Sequence, residues 1–600
     1  MASNHSQPPI ADYALIGDCH TAALVSRTGS IDWCCLPRID SSSCFGRLLD
    51  WQRGGHCSIA PTAAAEHSRT YVGDSLVLET RYETDDAEAR VLDCFTMRKG
   101  GREQPFRQLL RVVEGVRGTM RLRVEVAPRF DYGGIAPWIR DHGGGTFSAI
   151  GGDAGLLIGG DVSLQCSDSL SLAAEIDVAA GERHRLSIEF RPPHELYPAA
   201  PKRPQSVDEL DRRLEQTLAW WKRWVAKIDR PCDPSVVRSA ITLKALTYAP
   251  TGAIVAAATT SLPESPGGGR NWDYRFTWIR DSAFALRSLG ELGLRAESRG
   301  FRNFVERTAA GSSDEIQVLY GVEGAHRLYE YELSDLSGYR GARPVRIGNA
   351  AQGQLQLDIF GELVELSWQA QQRGDTPDDD YWDFLVQTVD RVCAEWRRPD
   401  QGIWETRAHP EHHVHSKVLC WTAVDRGIRL AEATGREAPV ERWRRVRDDV
   451  RHMVETRGYH RERGIFVSVL DGTDVDAALL QLPRVGFVGY DDERMIRTVD
   501  AIRERLTEDG GLVYRYLSDD GLTGREGAFV SASFWLVECL ARQGRRDQAA
   551  ALYDRAAAVA NDLGLMSEEY DSRRGQMLGN FPQGLSHYAH IAAYLALRDE

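Results

Sequence analysis

The chain has 600 residues, of which 42% are hydrophobic, and a formal net charge of −14. A chain of this length exceeds the usual size of one domain, so we expect at least two domains. Nucleic acids and anionic membranes both bind basic protein surfaces, and the negative net charge of the chain therefore argues against either partner. We expect a neutral small-molecule partner instead.

The first residues, MASNHSQPPIADYALIG, contain no basic segment followed by an apolar one, which a secretion signal would show. No run approaches the roughly 18 apolar residues of a membrane span. Eleven cysteines are scattered without a C-x-x-C pair, which favours reduced, buried thiols over a zinc site. We therefore expect a cytoplasmic protein, and the sequence leaves open whether it forms a homo-oligomer.

The first third of the chain has the pattern of β-strands. In MRLRVEVAPRF every second side chain from Met120 to Val126 is apolar, as in a half-buried strand. Similar runs recur at LVLETRYET, SLQCSDSLSLAAEI and HRLSIEFRP, separated by Gly- and Asp-rich turns such as HGGGTFSAIGGDAG. The pattern predicts an antiparallel β-sandwich.

The pattern changes after the Pro-rich stretch PAAPKRPQ. Ser206 and Glu209 form an S-x-x-E capping box, and apolar residues then follow at helical spacing up to Ile228, which predicts a connecting helix. Farther on, helical segments such as SVVRSAITLKALTYA, DSAFALRSLGELG, LQLDIFGELVELSWQAQQ and SASFWLVECLARQG alternate with loops rich in Gly, Asp, Trp and Tyr. We expect an all-helical domain whose aromatic and acidic loops suit carbohydrate binding.

Two segments carry candidate carboxyl groups. Glu405 lies in QGIWETR between Trp404 and Arg407, and a carboxyl beside an aromatic wall is a candidate general acid. Glu568 and Glu569 are adjacent in GLMSEEYDSRRG; adjacent acids repel, so we expect one to pair with a cation and the other to face a site. The alternatives are a salt-bridged surface turn and a solvated acidic loop.

Two further segments concentrate arginines and aromatic residues. In NWDYRFTWIRDSAFAL, Arg280 and Asp281 offer a donor fork and an acceptor pair that suit vicinal hydroxyls, although a buried capping network has the same composition. The segment GLVYRYLSDDGLTGREGAFVSASFW holds Arg515. The order of the four segments is more informative than any one of them.

In this order, YRFTWIRDSAF, GIWETR, HSKVLCWTAVDR, GREGAFVSASFW and LMSEEYDSRRGQMLGNFPQGLSH resemble glycoside hydrolase family 15, the family of glucoamylases, bacterial glucodextranases and bacterial trehalases. The opening ADYALIGDCHTAALVSRTGSIDWCCLPRIDSSSCFGRLLD resembles the N-terminal domain of its prokaryotic trehalase-like branch. The resemblance covers essentially the whole chain. It implies an N-terminal antiparallel β-sandwich (1–205), a connecting helix (206–232) and a catalytic (α/α)6 barrel (233–600).

The resemblance also implies an inverting, exo-acting α-glucoside hydrolase that releases β-glucose from the non-reducing end. Glu405 matches the general acid and Glu568 the base, with Glu569 open as the alternative base. Arg280 and Asp281 match the pair that binds the non-reducing glucose. Further substrate contacts are expected from Trp272, Trp278, Trp404, Arg407, Arg515 and Glu569.

The trehalase-like N-terminus and the expected location favour trehalose or another short α-glucoside over a glucoamylase, isomaltose or dextran specificity. A glucoside phosphorylase would need only the acid, and a non-catalytic sugar-binding protein would lose one acid, whereas both positions are acidic here. Two carboxyls suffice for the reaction, so no cofactor or metal is expected, and His412, His413 and His415 offer no evident ligand set.

Overall fold

The computed structural model describes residues 7–198, 205–309, 311–507, 511–518, 520, 522, 524 and 526–599. An N-terminal region of antiparallel strands precedes a helical barrel, which confirms the predicted fold class. Most of the Pro-rich stretch PAAPKRPQ lies outside the described residues. Within those residues, no helix has the length and apolar character needed to cross a membrane.

The sandwich consists of two packed sheets. Its strands are β1 (Tyr13–Gly17), β2 (Ala22–Ser26), β3 (Ser30–Cys35), β4 (Ser43–Phe45), β5 (His56–Pro61), β6 (Glu66–Tyr71), β7 (Leu78–Glu83), β8 (Glu88–Phe95), β9 (Gln108–Arg117), β10 (Thr119–Ala127), β11 (Trp138–Asp141), β12 (Phe147–Gly151), β13 (Ala154–Gly160), β14 (Gln165–Asp168), β15 (Ser171–Ala179) and β16 (Arg183–Phe190). One sheet has the order β1-β2-β3-β5-β10-β15-β14 with β4 beside β3, and the other has the order β11-β12-β13-β16-β9-β8-β7-β6.

The predicted alternation along β10 is confirmed, since Met120, Leu122 and Val124 are buried while the arginines between them are exposed. Two predictions need correction. The segment HGGGTFSAIGGDAG is not only a turn, because its centre forms β12 with Phe147 buried against the core. The run SLQCSDSLSLAAEI is a hairpin of β14 and β15, since the Asp168 carboxylate accepts the Leu170 N–H at 2.8 Å and turns the chain.

The connecting helix α2 (Val207–Val225) begins as predicted at Ser206, whose hydroxyl accepts the backbone N–H of Glu209 at 3.3 Å. The reciprocal half of the capping box is replaced, because the Glu209 carboxylate accepts from Arg213 at 3.2 Å instead. A short helix, α1 (Pro193–Leu196), precedes it. The apolar face of α2 packs on the outer side of the β7–β9 sheet and joins the two regions.

The helical region forms a double ring. Its helices are α3 (Pro234–Ala245), α4 (Ile279–Glu291), α5 (Ala296–Thr308), α6 (Asp358–Gln372), α7 (Asp379–Glu395), α8 (Val414–Thr434), α9 (Val440–Arg457), α10 (Glu493–Leu506), α11 (Val530–Arg542), α12 (Arg546–Ala557) and α13 (Gly584–Arg598). The inner ring closes as α4, α6, α8, the 3-10 segment Ala477–Gln481, α11 and α13, and the remaining helices pack outside.

Burial follows the ring to which a helix belongs. Inner helix α11 is buried without interruption from Val530 to Ala541, as expected for a helix with neighbours on all sides. Outer helix α10 buries only a stripe that includes Met495, Val499 and Ile502. Short strand pairs occupy the loops: β17 (Thr277–Trp278), β18 (Leu319–Tyr320), β19 (Tyr331–Glu332), β20 (Arg346–Ile347), β21 (Tyr459–His460), β22 (Ile465–Phe466), β23 (Ala528–Phe529), β24 (Glu569–Asp571) and β25 (Gln576–Leu578).

Arg275 fastens the loop before α4 to the sandwich. Its guanidinium binds Asp273 at 2.6 and 2.9 Å, and also donates to the Ser41 carbonyl at 2.7 Å and the Tyr132 hydroxyl at 2.8 Å. Trp33 adds a second link by donating to the Ala258 carbonyl at 2.8 Å. The sandwich therefore fixes the barrel segment on which Arg280 and Asp281 lie.

We predict that Arg275→Met destabilises the protein by about 3–5 kcal/mol, because it leaves the buried Asp273 carboxylate without its cation. Thermal unfolding followed by circular dichroism should show a clear fall in Tm. The matched control is Arg121→Met, which removes an exposed ion pair with Asp177 and should leave Tm nearly unchanged. Equal Tm values for the two variants would contradict the role of Arg275.

Candidate active site

Two connected chambers open at the end of the barrel where α4, α11 and α13 begin. We call them the inner and the outer chamber, and both are lined by Tyr274, Trp404, Glu405 and Arg515. The inner chamber is further lined by Ala256, Trp278, Arg280, Asp281, Phe284, Ile403, Phe529, Trp535, Glu568, Gln583 and Leu585. The outer chamber is further lined by Glu264, Arg270, Trp272, Asn349, Ala351, Gln354, Thr406, Arg407, Tyr516, Asp520 and Leu522.

Glu405 lies in the loop between α7 and α8, where the two chambers meet. Its backbone has a φ of 56°, a left-handed conformation that an L residue adopts only when its surroundings hold it there. The Gln354 amide supplies part of that support by donating to the Glu405 carbonyl at 3.2 Å. The indole N–H of Trp278 donates to Glu405 Oε1 at 2.6 Å, and Arg280 Nη1 lies 3.4 Å from the same oxygen.

Glu568 lies immediately before β24 and lines only the inner chamber. It is buried, and its Oε1 accepts the Tyr274 hydroxyl at 2.9 Å. Its Oε2 has no hydrogen-bond partner among the described residues. A Cβ at Gly579, which has a φ of 73°, would come within 2.6 Å of this oxygen, so glycine is required there. Burial and the neighbouring Glu264 raise the pKa of Glu568 well above its usual range.

An aromatic pair connects the two carboxyls. Tyr274 and Trp278 contact each other edge to face with ring centroids 5.6 Å apart. Each ring holds a different carboxyl by a hydrogen bond, Tyr274 that of Glu568 and Trp278 that of Glu405. The pair therefore fixes the positions of both groups at the wall of one chamber.

Arg280 and Asp281, at the start of α4, bind each other inside the inner chamber. Arg280 Nε and Nη2 lie 3.0 and 2.9 Å from Asp281 Oδ2, and Arg280 Nη1 also donates to the Ile403 carbonyl at 2.6 Å. Both side chains are less than a tenth exposed. This arrangement presents fixed donors and acceptors to a ligand without a change of rotamer.

Glu569 lines neither chamber. It is the first residue of β24 and is fully buried. Glu569 Oε2 accepts the Gly527 N–H at 2.9 Å, and Oε1 lies 3.2 Å from Arg515 Nη2. The structure thus pairs one of the two adjacent glutamates with a cation and leaves the other facing the inner chamber.

Arg515 is shared by three carboxylates. Its Nη2 lies 3.0 Å from Glu264, 2.7 Å from Glu526 and 3.2 Å from Glu569. These three acids are the one group of carboxylate, histidine or cysteine side chains in the described chain with metal-ligand spacing. Because the Arg515 guanidinium already lies within hydrogen-bond distance of all three, they form an ion-pair cluster and carry no case for a metal.

Trp272 forms the floor of the outer chamber. The guanidinium of Arg407 lies 4.1 Å and that of Arg346 lies 4.5 Å from its ring centroid. Glu330 in turn accepts from Arg407 at 2.9 Å. The two guanidinium groups therefore fix the indole and cover its ring, so that Trp272 helps to position Arg407 at the outer chamber.

A cavity of about 260 Å³ between the sandwich and the barrel is a less suitable site. Its buried acid Glu297 is engaged by Lys244 at 3.2 Å and by the Trp224 indole at 3.1 Å. Its other acid, Asp18, accepts the backbone N–H groups of His20 and Thr21 and so stabilises the turn there. Chemistry rather than size therefore places the candidate site in the two chambers.

Comparison with known proteins agrees with this geometry. A family model described as glycosyl hydrolases family 15 matches residues 233–595, and one described as trehalase-like, N-terminal, matches residues 2–180. The chain is 39% identical to the trehalase of Mycobacterium tuberculosis over 98% of this chain and 89% of that protein. It is 34% identical to the trehalase of Thermoplasma volcanium, over 97% and 93%.

The chain belongs to glycosyl hydrolase family 15. The fold is also that of a bacterial glucoamylase crystallised with acarbose, with a TM-score of 0.74 at 13% identity over 99% of this chain and 94% of that one. The sequence resemblance to the family is thereby confirmed, and the protein is a glycoside hydrolase.

The structure of this family 15 enzyme distributes the predicted site residues between the chambers. Trp278, Arg280, Asp281 and Glu568 line the inner chamber, Trp272 and Arg407 the outer, and Trp404, Glu405 and Arg515 both, whereas Glu569 lines neither. Sequence reasoning did not select Tyr274, although it stands in the quoted motif. It missed Glu264 and Arg270 altogether, because they lie in a Pro- and Gly-rich loop without periodicity.

We predict that Arg280→Lys lowers kcat/KM at least about 100-fold, because an ammonium cannot replace the fork that binds Asp281 and Ile403 together. Both kcat and KM should worsen, since hydroxyl contacts tighten in the transition state. Initial rates of glucose release measure the effect. The control is Arg287→Lys, two turns along the same helix, where Arg287 binds Glu291. A change in KM with kcat intact would argue against contact with the reacting ring.

Proposed function

We propose that this enzyme hydrolyses trehalose with inversion, using Glu405 as general acid and Glu568 as general base. One observation carries the assignment of roles: Glu405 lines both chambers, whereas Glu568 lines only the inner one. An acid must reach the oxygen between two sugar rings, and a base must reach a water at the anomeric carbon of one ring. The positions of the two carboxyls match these two requirements.

In the proposed reaction, one glucose ring occupies the inner chamber and is held by Arg280 and Asp281. Glu405 transfers its proton to the glycosidic oxygen as the bond to the anomeric carbon breaks. Glu568 takes a proton from a water, whose oxygen bonds to the anomeric carbon from the opposite face. The products are β-glucose from the inner chamber and the second sugar from the outer chamber.

Two features support trehalose as the substrate. The relatives named trehalase align with 97–98% of this chain, including the N-terminal sandwich. The outer chamber adjoins the inner one at Glu405 and offers aromatic and charged side chains, among them Trp404, Tyr516 and Arg407, to one further ring. A glucoside phosphorylase is less well supported, because it would not require a second carboxyl with a free oxygen beside the inner chamber.

We also propose a cytoplasmic location. Eight of the eleven cysteines are buried free thiols, which fits a reducing compartment.

The roles of the glutamates are tested by three variants. Glu568→Gln should lower kcat about 10²- to 10⁴-fold on every substrate, because the water loses its base. Glu405→Gln should lower kcat comparably on trehalose but far less on α-glucosyl fluoride, whose leaving group needs little protonation. Glu569→Gln is the matched control and should retain more activity than Glu568→Gln. An inactive Glu569→Gln beside a working Glu568→Gln would reverse the assignment.

The stereochemistry and specificity are tested on the wild-type enzyme. Proton NMR during early turnover of trehalose should show α- and β-glucose in equal amounts, because inversion releases the attacked ring as β-glucose while the leaving ring keeps its α configuration. Glucose release should be fastest from trehalose in a panel with maltose, isomaltose, panose and dextran. Early α-glucose without β-glucose would contradict inversion, and preference for maltose or dextran would transfer the proposal to a glucan specificity. Dependence on inorganic phosphate, with glucose phosphate as product, would indicate a phosphorylase.

A further inference from the structure

We propose that Glu264 shares one proton with Glu568 through the Tyr274 hydroxyl, and that Glu264 carries this proton while Glu568 acts as the base. The inference rests on the proposed role of Glu568. Glu264 is then a positioning residue, because it acts on the reaction through Tyr274 rather than on the reacting atoms.

The geometry around the Tyr274 hydroxyl is the first step of the argument. Its oxygen lies 2.9 Å from Glu568 Oε1 and 3.3 Å from Glu264 Oε1. A tyrosine hydroxyl has one proton to donate. If it donates to Glu568, the contact with Glu264 is attractive only when Glu264 Oε1 is protonated and donates to Tyr274. The three groups then form one continuous chain of hydrogen bonds that ends on the Glu568 carboxylate.

The second step concerns the other oxygen of Glu264. Glu264 Oε2 accepts from Arg515 Nη2 at 3.0 Å, but the same nitrogen also serves Glu526 and Glu569. One guanidinium charge cannot neutralise three buried carboxylates. Arg270 adds a second positive charge by binding Glu526, but it also binds Asp520 at 2.6 Å, so two guanidinium groups face four carboxylates. The cluster must therefore hold protons.

Burial and charge then favour a proton on the Glu264–Glu568 pair. Glu264 is 2% exposed, and burial raises its pKa to about 7 against the opposing effect of Arg515. The pKa of Glu568 is raised by burial and by Glu264. Two interacting carboxyls of this kind titrate as a pair and retain a proton at neutral pH. The charged and titratable groups facing Glu264 are Tyr274, Arg515, Arg270, Glu526, Glu568 and Glu569.

The transition state decides which member of the pair is ionised. Positive charge develops at the anomeric carbon in the inner chamber. Glu568 lines that chamber and Glu264 lines only the outer one, so an anion on Glu568 is stabilised more. The proton therefore resides on Glu264 when the water is attacked.

The proton balance closes over one turnover. Glu568 accepts the proton of the attacking water, which leaves both members of the pair protonated. Glu264 releases its proton to solvent through the outer chamber. The proton of Glu568 then passes to the Tyr274 oxygen as the proton of Tyr274 passes to Glu264. Over one turnover, Glu264 thus releases one proton to solvent, and Glu405 regains one proton from solvent.

The test compares Glu264→Gln with Glu264→Leu, using trehalose and α-glucosyl fluoride as substrates. Leucine cannot donate to Tyr274, and kcat should fall about 10- to 100-fold. Glutamine is an isostere of the protonated acid, since its amide N–H can donate to Tyr274 while its carbonyl accepts from Arg515. It should restore most of the activity that leucine loses. The pH at which kcat/KM falls on the acidic side should be the same in Glu264→Gln as in the wild type, because the wild-type Glu264 is already neutral in that pH range.

Three results would overturn the inference. If Glu264→Gln is as impaired as Glu264→Leu, or if its acidic limb moves to lower pH by about one unit, Glu264 is an anion beside Glu568 in the wild type. In a Tyr274→Phe background, Glu264→Leu should cause no further loss, because its effect passes through Tyr274. A full loss in that background would indicate a structural role through Arg515 instead.

Two controls keep the outcomes distinct. Asp32→Asn neutralises a buried carboxyl that also accepts from a tyrosine hydroxyl, but in the sandwich, and should leave the pH profile in place. Thermal unfolding of each variant separates misfolding from a local effect. A fully active Glu568→Gln variant would show that Glu568 is not the base. An inactive Glu568→Gln variant together with any of the contradicting Glu264 results above would overturn only the shared proton.

Discussion

The active site depends on an imbalance of buried charge around Arg515. Three carboxylates lie within 3.2 Å of its guanidinium, and Glu568 is buried nearby without a cation of its own. An uncompensated buried charge costs several kcal/mol, so such a cluster retains protons that exposed acids would lose. The imbalance therefore lets ionised and protonated carboxyls coexist at neutral pH, which acid–base catalysis requires.

The sandwich contributes to this site without lining it. Arg275 binds sandwich atoms at Ser41 and Tyr132, and its neighbour Tyr274 binds Glu568. Trp278, four residues after Tyr274, binds Glu405. One short segment thus orients both carboxyls, and its position is set by the sandwich. This coupling gives a physical reason for the alignment of the relatives with the N-terminal region as well as the barrel.

In the proposed mechanism, division into two chambers gives similar side chains different tasks at one end of the barrel. Glu405 is held in a left-handed conformation at the junction, where Trp278 and Arg280 contact the same carboxyl oxygen. Glu568 lies deeper, with one oxygen held by Tyr274 and the other free. Glu264 and Trp272 face the outer space. Location relative to the junction, rather than residue type, separates their roles.

The sequence by itself determined the order of the two regions, the alternation along β10, the helix start at Ser206 and the motifs around Glu405 and Glu568. These features are local, because strand and helix periodicity and capping depend on neighbours within a few residues. The sequence could not show that Glu568 lines the inner chamber while Glu569 binds Arg515, recognise Glu264, or find β12 within a glycine-rich segment. Those outcomes depend on closure of the helical ring and on pairing within the sheet. Ring closure brings residue 274 within hydrogen-bond distance of residues 264 and 568, and residue 264 within that of residue 515, although 515 and 568 are far from 264 and 274 in the chain. Only the tertiary structure decides such contacts, because burial, and with it the balance of charge, is a property of the assembled core.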